Sequence, residues 1–399
     1  MTSASSRTIL HGRAVIGART VTDAAVAVEG SVLVSAGPAG TQRPAADDIL
    51  IRLADDETLV PGLVDLHCHG GYGVDFSGAA AAEARGGIDA LHAAGTTTLL
   101  ASLVTGDPGI LAKQLALLAD LAEEGLLAGL HLEGPFLAAA RCGAQNPAWL
   151  RQPDPELVRE FVHSGRGFLR SMTYAPELPG AGELVRQLAE AGVLPSLGHT
   201  AASPGQAEAS LALAARELAA SFSYPARPTV THLFNAMDPL HHRAPGALSA
   251  CLRAAKAGAA VVELIADNVH LDPQLVATMF ELLGAQNIAL VTDSMAAAGL
   301  SDGEYLLGPT EVEVQGGTAR VKATGAIAGG TASMLDLVRN AVAAGVPLPD
   351  AVASATVVPA RVLGLDGQVG ELVPGAAADL LVLGPSLELR RVMRRGQWL

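Results

Sequence analysis

Two histidines stand two residues apart in Pro61-Gly-Leu-Val-Asp-Leu-His-Cys-His-Gly70. Val64, Leu66 and Cys68 alternate with Asp65, His67 and His69, the period-2 pattern of a strand. Both imidazoles therefore leave one face at the strand's C-terminal end, where Gly70-Gly71 breaks the run. Placed like that, they can reach one metal ion or polarise one substrate. Cys68 faces the other way and reads as packing. Residues of the same kind recur where later apolar runs stop. Glu133, with His131 two positions earlier, ends Leu127-Ala-Gly-Leu-His-Leu-Glu133, and His199 ends Leu194-Pro-Ser-Leu-Gly-His199. His232 and Asn235 lie in Thr229-Val-Thr-His-Leu-Phe-Asn235, His270 follows Ile265-Ala-Asp-Asn-Val, and Asp293 ends Ile288-Ala-Leu-Val-Thr-Asp293.

Taken singly, each has an ordinary explanation. A histidine near a strand end is usually a hydrogen-bonded structural residue, and a carboxylate there can cap a helix. Their conjunction is different. If the strands share one sheet, His67, His69, His199, His232, Glu133 and Asp293 meet at one end of it, where buried charges need partners or a metal. Imidazole with carboxylate suits zinc and neighbouring divalent ions, and the lack of a thiolate in the set argues against a structural zinc site.

The elements that must position these residues follow from periodicity. Candidate strands are 63–69, 96–101, 127–133, 168–174, 193–199, 229–234, 260–267 and 287–293. Amphipathic or Ala-rich helical stretches, such as 83–94, 108–124, 153–163, 180–191 and 203–220, separate most of them. Eight strands alternating with helices predict an α/β fold, a (β/α)8 TIM barrel, whose active site lies at the strands' C-terminal ends. A doubly wound open sheet competes, but no GxGxxG follows a strand to favour it. Short β-branched runs at both termini lack a core of their own and predict a small β-sandwich assembled from the two ends. The expected division is residues 1–61 with 365–399 for the accessory unit, and 62–364 for the barrel.

Composition narrows the function classes. A formal charge of −14 argues against nucleic acid, which needs a clustered basic face, and means an anionic substrate must be held by local groups. The Ala-Leu stretches near 211–220 and 247–262 contain Arg216, Glu217, Arg253 and Lys256, so neither reads as a membrane span. Met1–Ser6 is small and polar, so no secretory signal is expected. Three scattered cysteines (Cys68, Cys142, Cys251) suit a reduced, cytoplasmic protein rather than a disulfide framework.

Pro61-Gly-Leu-Val-Asp-Leu-His-Cys-His-Gly, His131-Leu-Glu-Gly-Pro-Phe, Gly198-His-Thr, Thr231-His-Leu-Phe-Asn-Ala-Met and Thr292-Asp-Ser-Met together resemble the successive motifs of the N-acetylglucosamine-6-phosphate deacetylases of the amidohydrolase superfamily. The resemblance runs from about residue 10 to the C-terminus. It implies hydrolysis of an N-acetyl group from a sugar phosphate in amino-sugar catabolism, on a (β/α)8 barrel with an accessory β-sandwich. N-acetylgalactosamine 6-phosphate and cyclic amides are the alternative substrates on the same scaffold. A catalytically silent binding barrel is the alternative from another class.

By that resemblance Glu133, His199 and His232 bind a main divalent ion and His67 and His69 a second. Zinc leads, with iron(II), manganese(II) or cobalt(II) as alternatives. Asp293 is also placed at the metal and serves as the acid/base, and His270 donates to the substrate carbonyl. Substrate contacts come from Ala144, Gln145, Asn235, Ala236, His270 and the Ile327-Ala328-Gly329 turn. Arg243 reaches the phosphate from a neighbouring subunit, which implies a homodimer. The family commonly has Gly-Ala-His where this chain reads Gly143-Ala-Gln145. Gln145 can still hydrogen-bond a sugar hydroxyl, but it carries no charge.

Overall fold

The computed structural model describes residues 7–41 and 44–399, so the opening segment 1–6 lies outside it. The eight expected strands form one parallel sheet in chain order. From first to eighth they are Leu63–Cys68, Thr96–Val104, Gly129–Glu133, Leu169–Tyr174, Leu194–Leu197, Thr229–Val230, Val261–Leu264 and Ile288–Leu290. The chain beyond Leu290 closes the barrel against the first strand. Asp293 N–H donates to the His67 carbonyl (2.8 Å) and His69 N–H to the Ser294 carbonyl (2.8 Å). The closing seam thus runs through three residues singled out for chemistry. Asp65 fastens it from inside, accepting from Thr292 Oγ1 (2.5 Å) and Thr292 N–H (3.3 Å). Burial pushes the Asp65 carboxyl up to about 6, although these hydrogen bonds pull the other way.

Helices follow each of the strands, among them Pro108–Glu123, Pro155–Ser164, Pro204–Ser221 and Pro273–Leu283. These four start alike. Asp107, Asp154, Ser203 or Asp272 precedes a proline, and its side-chain oxygen accepts a backbone N–H two or three residues on. Proline costs nothing there, because the first turn has no internal acceptor for its missing N–H.

Inside the barrel, a polar layer lies beneath the mouth. His131 spans it, with Nδ1 3.0 Å from Ser102 Oγ and Nε2 2.8 Å from Thr173 Oγ1. Thr231 Oγ1 continues it, 2.8 Å from Thr173 Oγ1 and 2.5 Å from Ser196 Oγ. Leu100, Leu194 and Val261, each two residues before Ser102, Ser196 or Glu263 on its strand, belong to an apolar cluster below.

The terminal strands pair into one eight-stranded sheet, which joins Leu380–Leu383 to Thr58–Pro61 and so links the two ends of the chain. Thr8–Ile16 is irregular between Gly12 and Ala14; its first half pairs with Ile49–Arg52 and its second with Thr58–Pro61. One apolar cluster draws on strands from both ends, including Leu10, Val26, Leu33, Leu59, Leu380 and Met393. A second small sheet, Gly303–Leu307, Thr310–Gln315 and Thr318–Val321, was not among the expected elements. Its signals, Gly308-Pro309, Gly316-Gly317 and the Glu-Val alternation at 311–314, were present in the sequence. It packs Val312, Val314 and Ala319 against Met295 and Ala297 beside the mouth.

Candidate active site

Strand ends deliver the candidate residues, and tight turns aim them. His199, His232 and Asp293 each sit just past a strand with φ of 47°, 28° and 46°. Left-handed backbone in non-glycine residues costs on the order of 1–3 kcal/mol each and concentrates at functional sites. The turn 327–330 presses against the same place: a Cβ on Gly330 would lie 2.5 Å from the Thr292 carbonyl oxygen, so only glycine fits.

Two donor sets share one carboxylate. Glu133 Oε1 lies 2.8 Å from His199 Nε2 and 2.9 Å from His232 Nε2, which are 3.1 Å apart. On the other side, Glu133 Oε2 is 3.2 Å from His69 Nε2. Asp293 Oδ1 stands 3.3 Å from His67 Nε2 and 3.2 Å from His69 Nε2, and these two nitrogens are 2.9 Å apart. Such separations are near the tetrahedron edge of about 3.3 Å that bonds of roughly 2.0–2.1 Å to a zinc-like ion make.

The outer nitrogens explain why the inner ones converge. His199 Nδ1 donates to the Arg141 carbonyl (2.8 Å) and His69 Nδ1 to the Ser102 carbonyl (3.2 Å). A carbonyl only accepts, so in the neutral ring the proton is on Nδ1 and the Nε2 lone pair faces inward. Lone pairs aimed at one another beside two carboxylates repel unless a cation or proton lies between them. The residues present therefore fit one divalent ion at Glu133, His199 and His232, and another at His67, His69, Glu133 and Asp293. His131 belongs to neither set, since both its nitrogens are taken by hydroxyls, and burial pushes its pKa far down.

Asp293 stays ionised. Burial acts against the charge, but the nearby His67 charge and the His69 hydrogen bond outweigh it and pull the carboxyl to about 2. His270 is shifted the other way. Burial lowers its pKa, but the hydrogen bond from Nδ1 to Asp267 Oδ2 (2.7 Å) and that carboxylate's charge raise it above the ordinary histidine value.

The mouth holds a cavity of about 220 Å³. His69, Glu133, His199, His232, His270 and Asp293 line it, together with Ala144, Gln145, Asn235, Ala236, Ile327 and Gly329. His67 and Ala328 are fully buried behind that wall. Arg243 is exposed and outside the lining of its own chain's cavity. Gln145 lines the cavity, yet its polar ends are engaged: its carbonyl accepts from Thr105 N–H (2.8 Å), and its amide donates to Glu133 Oε2. Its polar atoms thus meet the site's own carboxylate where the sequence suggested a sugar hydroxyl. Sequence reasoning missed three supporting residues. Glu263 and Asp267 are acidic residues in the very run leading to His270, and Arg141 ties two site loops through an ion pair with Asp238. Leu307, Gly143 and Ala326 also line the cavity.

Residues 58–399 match the model of the amidohydrolase family. The chain is 34% identical over 354 residues to N-acetylglucosamine-6-phosphate deacetylase of Bacillus subtilis (strain 168), covering 87% of this chain and 85% of that one. It is also 34% identical over 352 residues to N-acetylgalactosamine-6-phosphate deacetylase of Escherichia coli O157:H7, covering 86% and 88%. Among solved structures, a variant of the Mycobacterium smegmatis N-acetyl-D-glucosamine-6-phosphate deacetylase, in complex with N-acetyl-D-glucosamine-6-phosphate, aligns with a TM-score of 0.88. It is 38% identical, with 99% of each chain covered.

Proposed function

The chain belongs to the amidohydrolase family, in its N-acetylglucosamine-6-phosphate deacetylase group, and on that premise we propose that it hydrolyses the N-acetyl group of N-acetylglucosamine 6-phosphate to glucosamine 6-phosphate and acetate. The observation that carries this reading is the pair of donor sets sharing Glu133, one of which includes Asp293, lining one cavity with His270. Zinc is the preferred ion, from a donor set of imidazole and carboxylate alone, with iron(II), manganese(II) or cobalt(II) as substitutes. Two positions are available, so one or two ions bind per chain, and the His67–His69 pair favours two.

Any such ion, when bound, acidifies water and polarises a carbonyl oxygen. The chain's own groups do the rest. Asp293, ionised at neutral pH, takes a proton from the attacking water as the new C–O bond forms at the acetyl carbon. It returns that proton to the sugar nitrogen as the C–N bond breaks, so the amine and acetate leave in balance. His270, kept protonated by Asp267, donates to the carbonyl oxygen as negative charge develops there.

That assignment fixes the sign of a pH effect. A raised pKa keeps the His270 proton through neutrality and releases it as pH climbs past the raised value. The alkaline limb of kcat should therefore fall above the ordinary histidine value of about 6.5. Asp267→Asn should shift that limb to lower pH. Paired kcat–pH profiles check this, and a limb unmoved by the substitution assigns it to another group.

Asn235, Ala236 and the Ile327–Gly329 turn receive the sugar phosphate, but no lysine or arginine lines the cavity among the described residues. We assign the missing cation to Arg243 of a second copy. Arg243 is exposed in the loop after the sixth strand. Exposed apolar side chains share that rim: Tyr72, Leu240, Val269 and Leu300 follow the first, sixth, seventh and eighth strands. Exposed apolar side chains at that end of the barrel suit a homodimer contact. Arg243→Ala should raise KM for the phosphorylated sugar far more than for the unphosphorylated one. The loss corresponds to about 1.5–3 kcal/mol for a charged hydrogen bond, on the order of ten- to a hundredfold in kcat/KM. Mixed Arg243→Ala and Asp293→Asn subunits should regain one intact site per heterodimer. No recovery in demonstrated heterodimers would refute sharing.

We further take residues 62–364 as the catalytic barrel and 1–61 with 365–399 as the accessory unit, a division supported by the terminal sheet and its own apolar cluster. Three unpaired cysteines support a cytoplasmic setting. Among the described residues, no helix is long and apolar enough to cross a membrane. Acetate release from N-acetylglucosamine, N-acetylgalactosamine and their 6-phosphates tests the function. Fastest release from N-acetylglucosamine 6-phosphate is expected. A preference for the galactose epimer reassigns the substrate, and indifference to the phosphate removes the phosphate site.

A further inference from the structure

We propose that Glu263 is the positioning residue of the second ion site, an inference that rests on the two-ion reading above. Glu263 lies on the seventh strand, 5% exposed, inside a barrel whose other inward polar side chains at its level are mostly hydroxyls. Nothing in the mechanism uses it. A carboxylate buried there is costly unless something needs its charge. Val261, two residues earlier on the same face of the strand, is apolar and fully buried, so the carboxylate is the exception on that face.

Two contacts say what needs it. Glu263 Oε2 is 3.4 Å from His67 Nδ1 and accepts the backbone N–H of His232 at 3.2 Å. A carboxylate oxygen accepts, so a neutral His67 ring bonded to it carries its proton on Nδ1. The His67 Nε2 lone pair is thereby fixed toward His69 Nε2 and Asp293 Oδ1. His69 and His199 are oriented in the same way, but by neutral backbone carbonyls. His67 alone of the four rings has a carboxylate behind it. A charged acceptor makes the imidazole a stronger donor and locks its ring angle, as outer carboxylates do behind metal-binding histidines.

The contact to His232 N–H is a backbone contact, 3.2 Å from the same oxygen. It belongs to the turn that carries a ligand of the first site. A purely structural role would act through that turn and disturb both sites together. A positioning role acts through His67 and weakens the second site alone.

The test is metal uptake by the full chain in zinc-buffered dialysis, read by elemental analysis, with the cobalt(II) absorption spectrum as a second readout. The wild-type chain should bind two ions. Glu263→Gln keeps the shape and removes the charge. It should retain the first ion at wild-type affinity and bind the second about 10- to 100-fold more weakly. Glu263→Asp, which withdraws the carboxylate from Nδ1 while keeping its charge, should give the same selective loss if the glutamine variant folds poorly. Wild-type affinity for both ions in the variants overturns the proposal. So does parallel loss of both ions with a lowered Tm, which would mark a structural residue. A wild-type chain that takes up only one ion refutes the two-ion reading itself, and the role of Glu263 with it.

Discussion

Asp293→Asn is expected to leave the barrel folded and the substrate bound while lowering kcat by about 10²–10⁴, the usual worth of a general acid–base group. The amide has the shape of the carboxyl but cannot shuttle a proton. The seam around residue 293 is made by backbone: its N–H to the His67 carbonyl, and its own carbonyl from Gly330 N–H (2.6 Å). Both survive the substitution. Asn also retains an oxygen where Asp293 Oδ1 faces His67 and His69, so ion content should be measured beside kcat to separate the two roles. KM should change little. A near-wild-type kcat in a folded, ion-replete variant would move the proton-transfer role elsewhere, with His270 the next candidate.

Glu133→Gln is expected to be at least as damaging, because one carboxylate serves both donor sets. Its Oε1 faces His199 and His232, and its Oε2 faces His69 and the amide of Gln145. Gln145 donates to the carboxylate, and an amide at 133 replaces one of its two acceptor oxygens with a donor. The variant should lose ions from both positions. Metal-assisted charge stabilisation is worth several kcal/mol, and at about 1.4 kcal/mol per factor of ten that is on the order of 10³-fold or more in rate. Elemental analysis with acetate release checks this. Two ions retained with normal activity would show that Glu133 does not hold them.

The main lines of this site were legible because strand periodicity and strand ends are local features. His67, His69, Glu133, His199, His232 and Asp293 each close an apolar run, and a parallel barrel brings such ends together whatever the intervening helices are. The supporting residues were not legible. Glu263 differs from its neighbours only in being a carboxylate within an apolar strand, and its partner His67 is 196 residues away. Gln145 was read by analogy as a sugar contact. It lines the cavity, and the reach of its two polar ends to Thr105 and Glu133 is a tertiary fact. Arg243 shows the opposite limit: its placement outside the cavity is clear in one chain, while its proposed target lies in another. The sheet at 303–321 was passed over because its strands are short and half exposed, with apolar positions that find a partner only once Met295 and Ala297 are in place.

The most direct measurement of the central claim is acetate release from N-acetylglucosamine 6-phosphate by chelator-treated protein shown by elemental analysis to be free of metal, followed by stepwise return of zinc. The account predicts no release above background at the start and recovery in step with ions bound per chain. It also predicts that Glu133→Gln protein stays silent across the same titration. Undiminished release from the metal-free chain would contradict it.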